Sequence, residues 1–154
     1  MNPQTGTVET ERMNIGREAP VLSRALVALE QEIRIEPALR ELIKLRASIL
    51  NGCAYCIDMH TKDARKAGES EQRLYAVAAW QDAPFFSERE RAALALTDAV
   101  TLIADTRVPA AVYDEAGRHF EPEELAHLIW QIVAINAWNR IAITTRQTVG
   151  GYEP

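Results

Sequence analysis

Cysteine is scarce in this sequence: its 154 residues hold two, at positions 53 and 56. One pair cannot supply the disulfide framework of a small secreted scaffold. A chain of this length needs none, since it buries roughly 70% of the surface its unfolded form exposes. Basic charge is also in deficit, 17 Lys and Arg against 22 Asp and Glu, for a net charge of −5. That balance argues against a nucleic-acid partner, which calls for a basic patch. The nearest thing to one, Arg34, Arg40, Lys44 and Arg46, is diluted by acids and aliphatics. The first 17 residues carry Glu9, Glu11, Arg12 and Arg17 but no apolar h-region, so they are neither a secretory signal nor a membrane span. No membrane partner is expected, and the expected compartment is the cytoplasm, where thiols are kept reduced. No low-complexity tract, fixed-period repeat or interdomain linker occurs, and no segment alternates with period two long enough to make a strand.

What is present is helical pattern. Apolar residues make up 47% of the chain and charged residues 25%, ordinary values for one globular domain. Residues 1–17 read as a polar arm interrupted by Asn2, Pro3, Gly6 and Gly16, and 18–154 as a single all-α bundle of about six to seven helices. Pro20 opens a helix with Leu22, Leu26, Leu29 and Ile33 on one face. Pro37 opens a second, through Leu39, Leu42, Ile43 and Leu45, closed at Asn51–Gly52. A third runs from about Ala54 to Lys66 and a fourth follows the Ser70 cap. Ser87 and Glu90 form a capping box ahead of a helix reaching Ile103, with a solvated first turn at Glu88–Arg91. Pro109 starts a short helix and Pro122 a long last one ending near Gly150. Trp80, Trp130 and Trp138 fall at apolar spacing and are expected in the core or a subunit interface, whereas Asn136 and Arg140, one turn apart on an apolar helix, need polar partners. His119 and His127 read as surface or interface residues.

Chemistry concentrates between Glu41 and His60. Cys53, Cys56 and His60 are spaced three and four apart, so a helix places them along one face. Cys53 falls at the helix start, where free N–H groups and the positive end of the dipole favour a thiolate, the nucleophile in peroxide attack and disulfide exchange. Three residues of separation also bring two cysteines within disulfide range. His60 can relay the thiol proton. If the turn at Asn51–Gly52 folds the two helices back on each other, Glu41 meets His60 and orients it, the acid–histidine–nucleophile arrangement in general form. Zinc is the rival reading: Cys53, Cys56 and His60 are legitimate ligands, with His127 or Glu41 as a fourth, though no second ligand pair exists. A plain buried pair of small residues is the bland one.

Glu41, eleven intervening residues, then Cys53-x-x-Cys56-x-x-x-His60 resembles the signature of the AhpD-like alkylhydroperoxidases of the carboxymuconolactone decarboxylase superfamily. The likeness is strongest from Arg40 to Gly68 and extends to Ile135-Asn-Ala-Trp-Asn-Arg-Ile141. The resemblance implies a helical bundle, assembly into trimers or hexamers, and reduction of organic hydroperoxides with no cofactor or metal, at the expense of an external dithiol of lipoyl or thioredoxin type. It assigns the attack on peroxide to Cys56, disulfide closure to Cys53, and proton relay to Glu41 and His60, whereas the dipole argument alone favours Cys53 as the more acidic thiol. Tyr55 departs from the family pattern, which has a histidine there, and a phenol accepts protons poorly at neutral pH. A redox sensor without turnover, and a decarboxylase that would need no cysteine pair, are the alternatives.

Overall fold

The computed structural model describes residues 10–154; the first nine residues of the expected arm lie outside the described residues. Among the described residues nine α-helices follow in order: α1 (Ile15–Glu18), α2 (Pro20–Glu32), α3 (Pro37–Asn51), α4 (Ala54–Lys66), α5 (Glu71–Ala76) with a 3-10 turn at Val77–Ala79, α6 (Glu88–Thr101), α7 (Ile103–Thr106), α8 (Ala110–His119) and α9 (Pro122–Thr145). No strand forms among the described residues. The expected all-α bundle is therefore what the chain makes. The two helices beyond the expected number are the four-residue turns α1 and α7.

Local chemistry sets most boundaries. Pro20, Pro37 and Pro122 occupy first-turn positions, where a missing N–H costs nothing. Ser87 and Glu90 make the expected capping box at α6. Gly52 closes α3 in the left-handed region at φ 68°, a conformation that costs most other residues about 1–2 kcal/mol. Two boundaries fall short of expectation. The helix expected to reach Ile103 breaks at Leu102, and the Thr106 hydroxyl at the end of α7 turns back to donate to the Ala99 carbonyl across the break. The last helix stops at Thr145 rather than near Gly150. Arg146 turns left-handed at φ 55°, Gln147 N–H bonds the Ala142 carbonyl, and the following chain lies along α4. There Lys62 Nζ donates to the Tyr152 carbonyl at 2.9 Å and the Tyr152 hydroxyl to Asp63 at 2.7 Å.

The core is built around α3. Leu39 and Ile43 pack with Leu96, Phe120, Leu128 and Ile132 of the α6, α8 and α9 side. Leu42 and Leu45 pack with Ala64, Leu74, Trp80 and Leu94 on the α4, α5 and α6 side. Each such leucine or isoleucine contributes about 1.5–3 kcal/mol by leaving water. Beside the second cluster the buried Arg46 guanidinium binds Asp98 through two nitrogens (2.6 and 3.0 Å), and Trp80 Nε1 donates to the same carboxylate at 3.1 Å. The run Glu88–Arg91, expected as a solvated turn, is a joint instead. Arg89 lies over the Phe120 ring, Glu90 pairs with Arg73, and Arg91 donates to the carbonyls of Trp80, Gln81 and Ala83. None of the described helices is long and apolar enough to cross a membrane.

Candidate active site

The hairpin of α3 and α4 assembles the site. Its turn is tight: Gly52 N–H bonds the Ile49 carbonyl and Cys53 N–H the Ser48 carbonyl. Cys53 thus becomes the N-cap of α4, its sulfur 3.4 Å from the Cys56 N–H. The two cysteines are joined as a disulfide with their Cα atoms 5.4 Å apart, within the ordinary range. Both pack on Ala142 of α9, at 1% and 3% exposure. One turn on, His60 is 5% exposed and its Nδ1 lies 3.0 Å from Glu41 Oε2. The hairpin expected from sequence does bring these two residues together.

The turn is held from behind by amides. Asn51 Nδ2 donates to the side-chain oxygens of Asn136 (3.0 Å) and Asn139 (2.9 Å). Asn139 Nδ2 donates to the Ser48 hydroxyl, Asn136 Nδ2 to the Thr101 hydroxyl, and Arg140 to Asn136. Asn136 and Arg140 therefore have the partners their sequence context demands, and their work is to lock α3, α6 and α9 around the residues preceding Cys53.

A cleft of about 350 Å³ opens in front of the cysteines between α2, α3, α4 and α9. Cys56 and His60 line it and Cys53 does not; Val27, Met59 and Ala142 give it apolar walls. Three polar residues in it were not among the expected site residues: Glu30, Lys44 and Trp138. Lys44 Nζ pairs with Glu30 Oε1 at 3.0 Å, and Trp138 Nε1 donates to Glu30 Oε2 at 2.8 Å. Burial pushes the Glu30 carboxyl up, but Lys44, Gln131 and Trp138 together pull it below the ordinary value. The signal for Lys44 was present, since it lies three residues after Glu41 and shares its helix face. Glu30 and Trp138 come from distant helices and carry no local signal. Tyr55 also lines the cleft, its phenol pushed up by burial and by the Asp58 charge, so it remains a donor. The Tyr152 phenol, bonded to Asp63, is pushed up to about 12 by that hydrogen bond, then by burial and the charges of Asp63, Glu41 and Tyr55.

Among the described residues, one group of side-chain donors lies close enough to share a metal: Glu41, His60 and Asp63, mutually within 4.8 Å. Neither cysteine belongs to it, both being joined in the disulfide. His127 is engaged elsewhere, its Nδ1 accepting the Arg34 N–H at 3.2 Å, and His119 pairs with Glu115. Trp80 is a core residue, Trp138 a cleft wall, and Trp130 is exposed.

Residues 20–99 match the model of the carboxymuconolactone decarboxylase family. YdfG of Bacillus subtilis, an uncharacterized protein, is 43% identical over 137 residues, which make up 87% of this chain and 93% of that one. A crystal structure of a protein of unknown function from Agrobacterium tumefaciens, proposed as an antioxidant defence protein AhpD, superposes with a TM-score of 0.89 at 40% identity. The match covers 93% of this chain and all of that one. The debrominase Bmp8 shares the fold at a TM-score of 0.78 and 22% identity, over 88% of this chain and 74% of its own.

Proposed function

The chain belongs to the carboxymuconolactone decarboxylase family, and from that premise we propose that it is a thiol-dependent hydroperoxide reductase of the AhpD-like branch. The observation that carries the reading is a CxxC pair whose second sulfur lines an apolar cleft beside a carboxylate-held histidine. In the reduced protein the Cys56 thiolate attacks the hydroperoxide oxygen. An S–O bond forms, the O–O bond breaks, and the alkoxide leaves with a proton delivered from His60, which Glu41 orients. The resulting Cys56 sulfenic acid condenses with Cys53. The S–S bond forms, and hydroxide leaves as water with the Cys53 proton. An external dithiol then returns both cysteines to thiols.

The burial pattern supports giving the attack to Cys56 rather than Cys53, since only Cys56 lines the cleft. Assembly as a homo-oligomer, a trimer or hexamer, belongs to the same reading. Helix α2 buries none of its residues while exposing Val21, Leu22 and Val27, and α9 exposes Trp130 and Val133. The test is turnover of cumene hydroperoxide with dithiothreitol as reductant, thiols being counted before and after. Multiple turnovers, with two thiols lost on oxidation and regained on reduction, are expected. Undiminished peroxide consumption by Cys56→Ser would refute the proposal; a disulfide that forms without turnover would favour a redox sensor.

A further inference from the structure

The disulfide is presented asymmetrically. Cys53 is 1% exposed and does not line the cleft, whereas Cys56 does. A thiolate arriving from solvent must reach a sulfur along the S–S axis, opposite the bond that breaks, and through the cleft it meets Cys56 first. The leaving sulfur matters equally, because a thiol with a lower pKa leaves faster. Cys53 is placed for that role: it is the N-cap of α4, at the positive end of the helix, and its sulfur faces the Cys56 N–H.

We propose that the reductant enters the same cleft as the peroxide and attacks Cys56, with Cys53 leaving as the thiolate. This rests on the thiol-peroxidase reading for its biological setting and deepens it by fixing the direction of the reductive half-reaction. Each step balances. The incoming thiolate forms a mixed disulfide with Cys56 while the Cys53–Cys56 bond breaks, and the electron pair stays on Cys53, which then takes up a proton. A second thiolate of the reductant attacks the reductant's own sulfur in the mixed disulfide. That releases Cys56 as a thiolate and completes a two-electron reduction. The helix start, which from sequence favoured Cys53 as the attacking thiol, thereby acts on the departure of Cys53. One sulfur receives both oxidant and reductant, so the two substrates compete for one cleft and each inhibits at high concentration.

The first experiment reduces the disulfide form briefly with 2-mercaptoethanol, quenches with excess N-ethylmaleimide, and locates the adducts by peptide mass spectrometry. The mercaptoethanol adduct is expected on Cys56 and the maleimide on Cys53; the reverse assignment overturns the proposal. A second measurement decides the matter if the mixed disulfide is too short-lived to trap. Cys53→Ser, with Cys56 as its one thiol, and Cys56→Ser, with Cys53, are each alkylated with iodoacetamide at a pH that ionises both thiols, so that access and not acidity sets the rate. Alkylation of Cys56 is expected to be about tenfold faster or more, because access limits thiol reactions. Equal rates, or faster alkylation of Cys53, overturn the proposal. Neither measurement uses peroxide, so failure of the peroxidase reading would leave its outcome interpretable.

Discussion

Replacing Asn139 with Ala should lower stability by about 2 kcal/mol, and the figure comes from counting what its amide leaves behind. Asn139 is fully buried on α9, accepting from Asn51 Nδ2 at 2.9 Å and donating to Ser48 Oγ at 3.0 Å. Two hydrogen bonds are lost, each contributing about 1 kcal/mol net. Neither partner is orphaned, since Asn51 Nδ2 retains Asn136 and the Ser48 hydroxyl still donates to the Lys44 carbonyl at 2.7 Å. The larger cost of an unsatisfied buried group is thereby avoided. Removing the amide leaves a small void, offset by a gain of about 0.5 kcal/mol in helix propensity. For a domain near 150 residues, 2 kcal/mol lowers Tm by about 4–8 °C. The assay is thermal unfolding of the disulfide form, followed by circular dichroism without reductant. An unchanged Tm would mean that the amide lock is not what holds the turn before Cys53. A loss above about 4 kcal/mol would mean that its members act as one cooperative unit rather than as separable bonds.

Glu41→Gln keeps the shape but removes the carboxylate that orients His60, and should cut peroxide kcat/KM by about a hundredfold or more with an unchanged circular dichroism spectrum. Arg46→Met leaves Asp98 with only Trp80 and Gln81 as donors and should cost about 3–5 kcal/mol in urea unfolding, as removal of one partner from a buried pair does. Glu30 predicts an acid limb. Its folded value lies below the ordinary 4.5, so its contribution is fully present above that pH and is lost as pH falls through the folded value. The Tm advantage of wild type over Glu30→Gln should accordingly shrink on acidification from neutral pH, and an advantage that stays constant would refute the linkage.

The sequence announced those parts of the site that are close in sequence or separated by one turn. Cys53, Cys56 and His60 share a face by helical spacing alone. Glu41 follows once Gly52 is taken as a cap, because a hairpin returns its helix past the same point. Glu30 and Trp138 could not be read this way. Each lies on a helix whose placement depends on packing across the whole bundle, and 108 positions separate the two groups that form their bond. The errors at helix ends have the same origin. Nothing near Ile103 marks a break in the apolar pattern, yet the Thr106 hydroxyl donates to the Ala99 carbonyl across one. In the same way Arg89, Glu90 and Arg91 look solvated in a linear reading, because their partners Phe120, Arg73 and Trp80 lie on other elements.

Helix α2 joins these threads. It buries none of its residues, yet Val27 and Glu30 form one wall of the cleft in front of Cys56. Leu22 is exposed and Leu26 and Leu29 are half-buried, and polar partners also reach across: Lys44 from α3, Gln131 and Trp138 from α9, all converging on the Glu30 carboxylate. Glu30 thus ties the wall to α3 and α9 and, through Lys44, places a positive charge within the cleft. Such an arrangement ties one wall of the cleft to an ionised group. That is the physical reason to expect substrate access, more than the cysteine hairpin itself, to respond when Glu30 is changed or protonated. The hairpin has its own support in the Asn51–Asn136–Asn139 lock on the opposite side, so the nucleophile and the wall before it are held by separate sets of bonds.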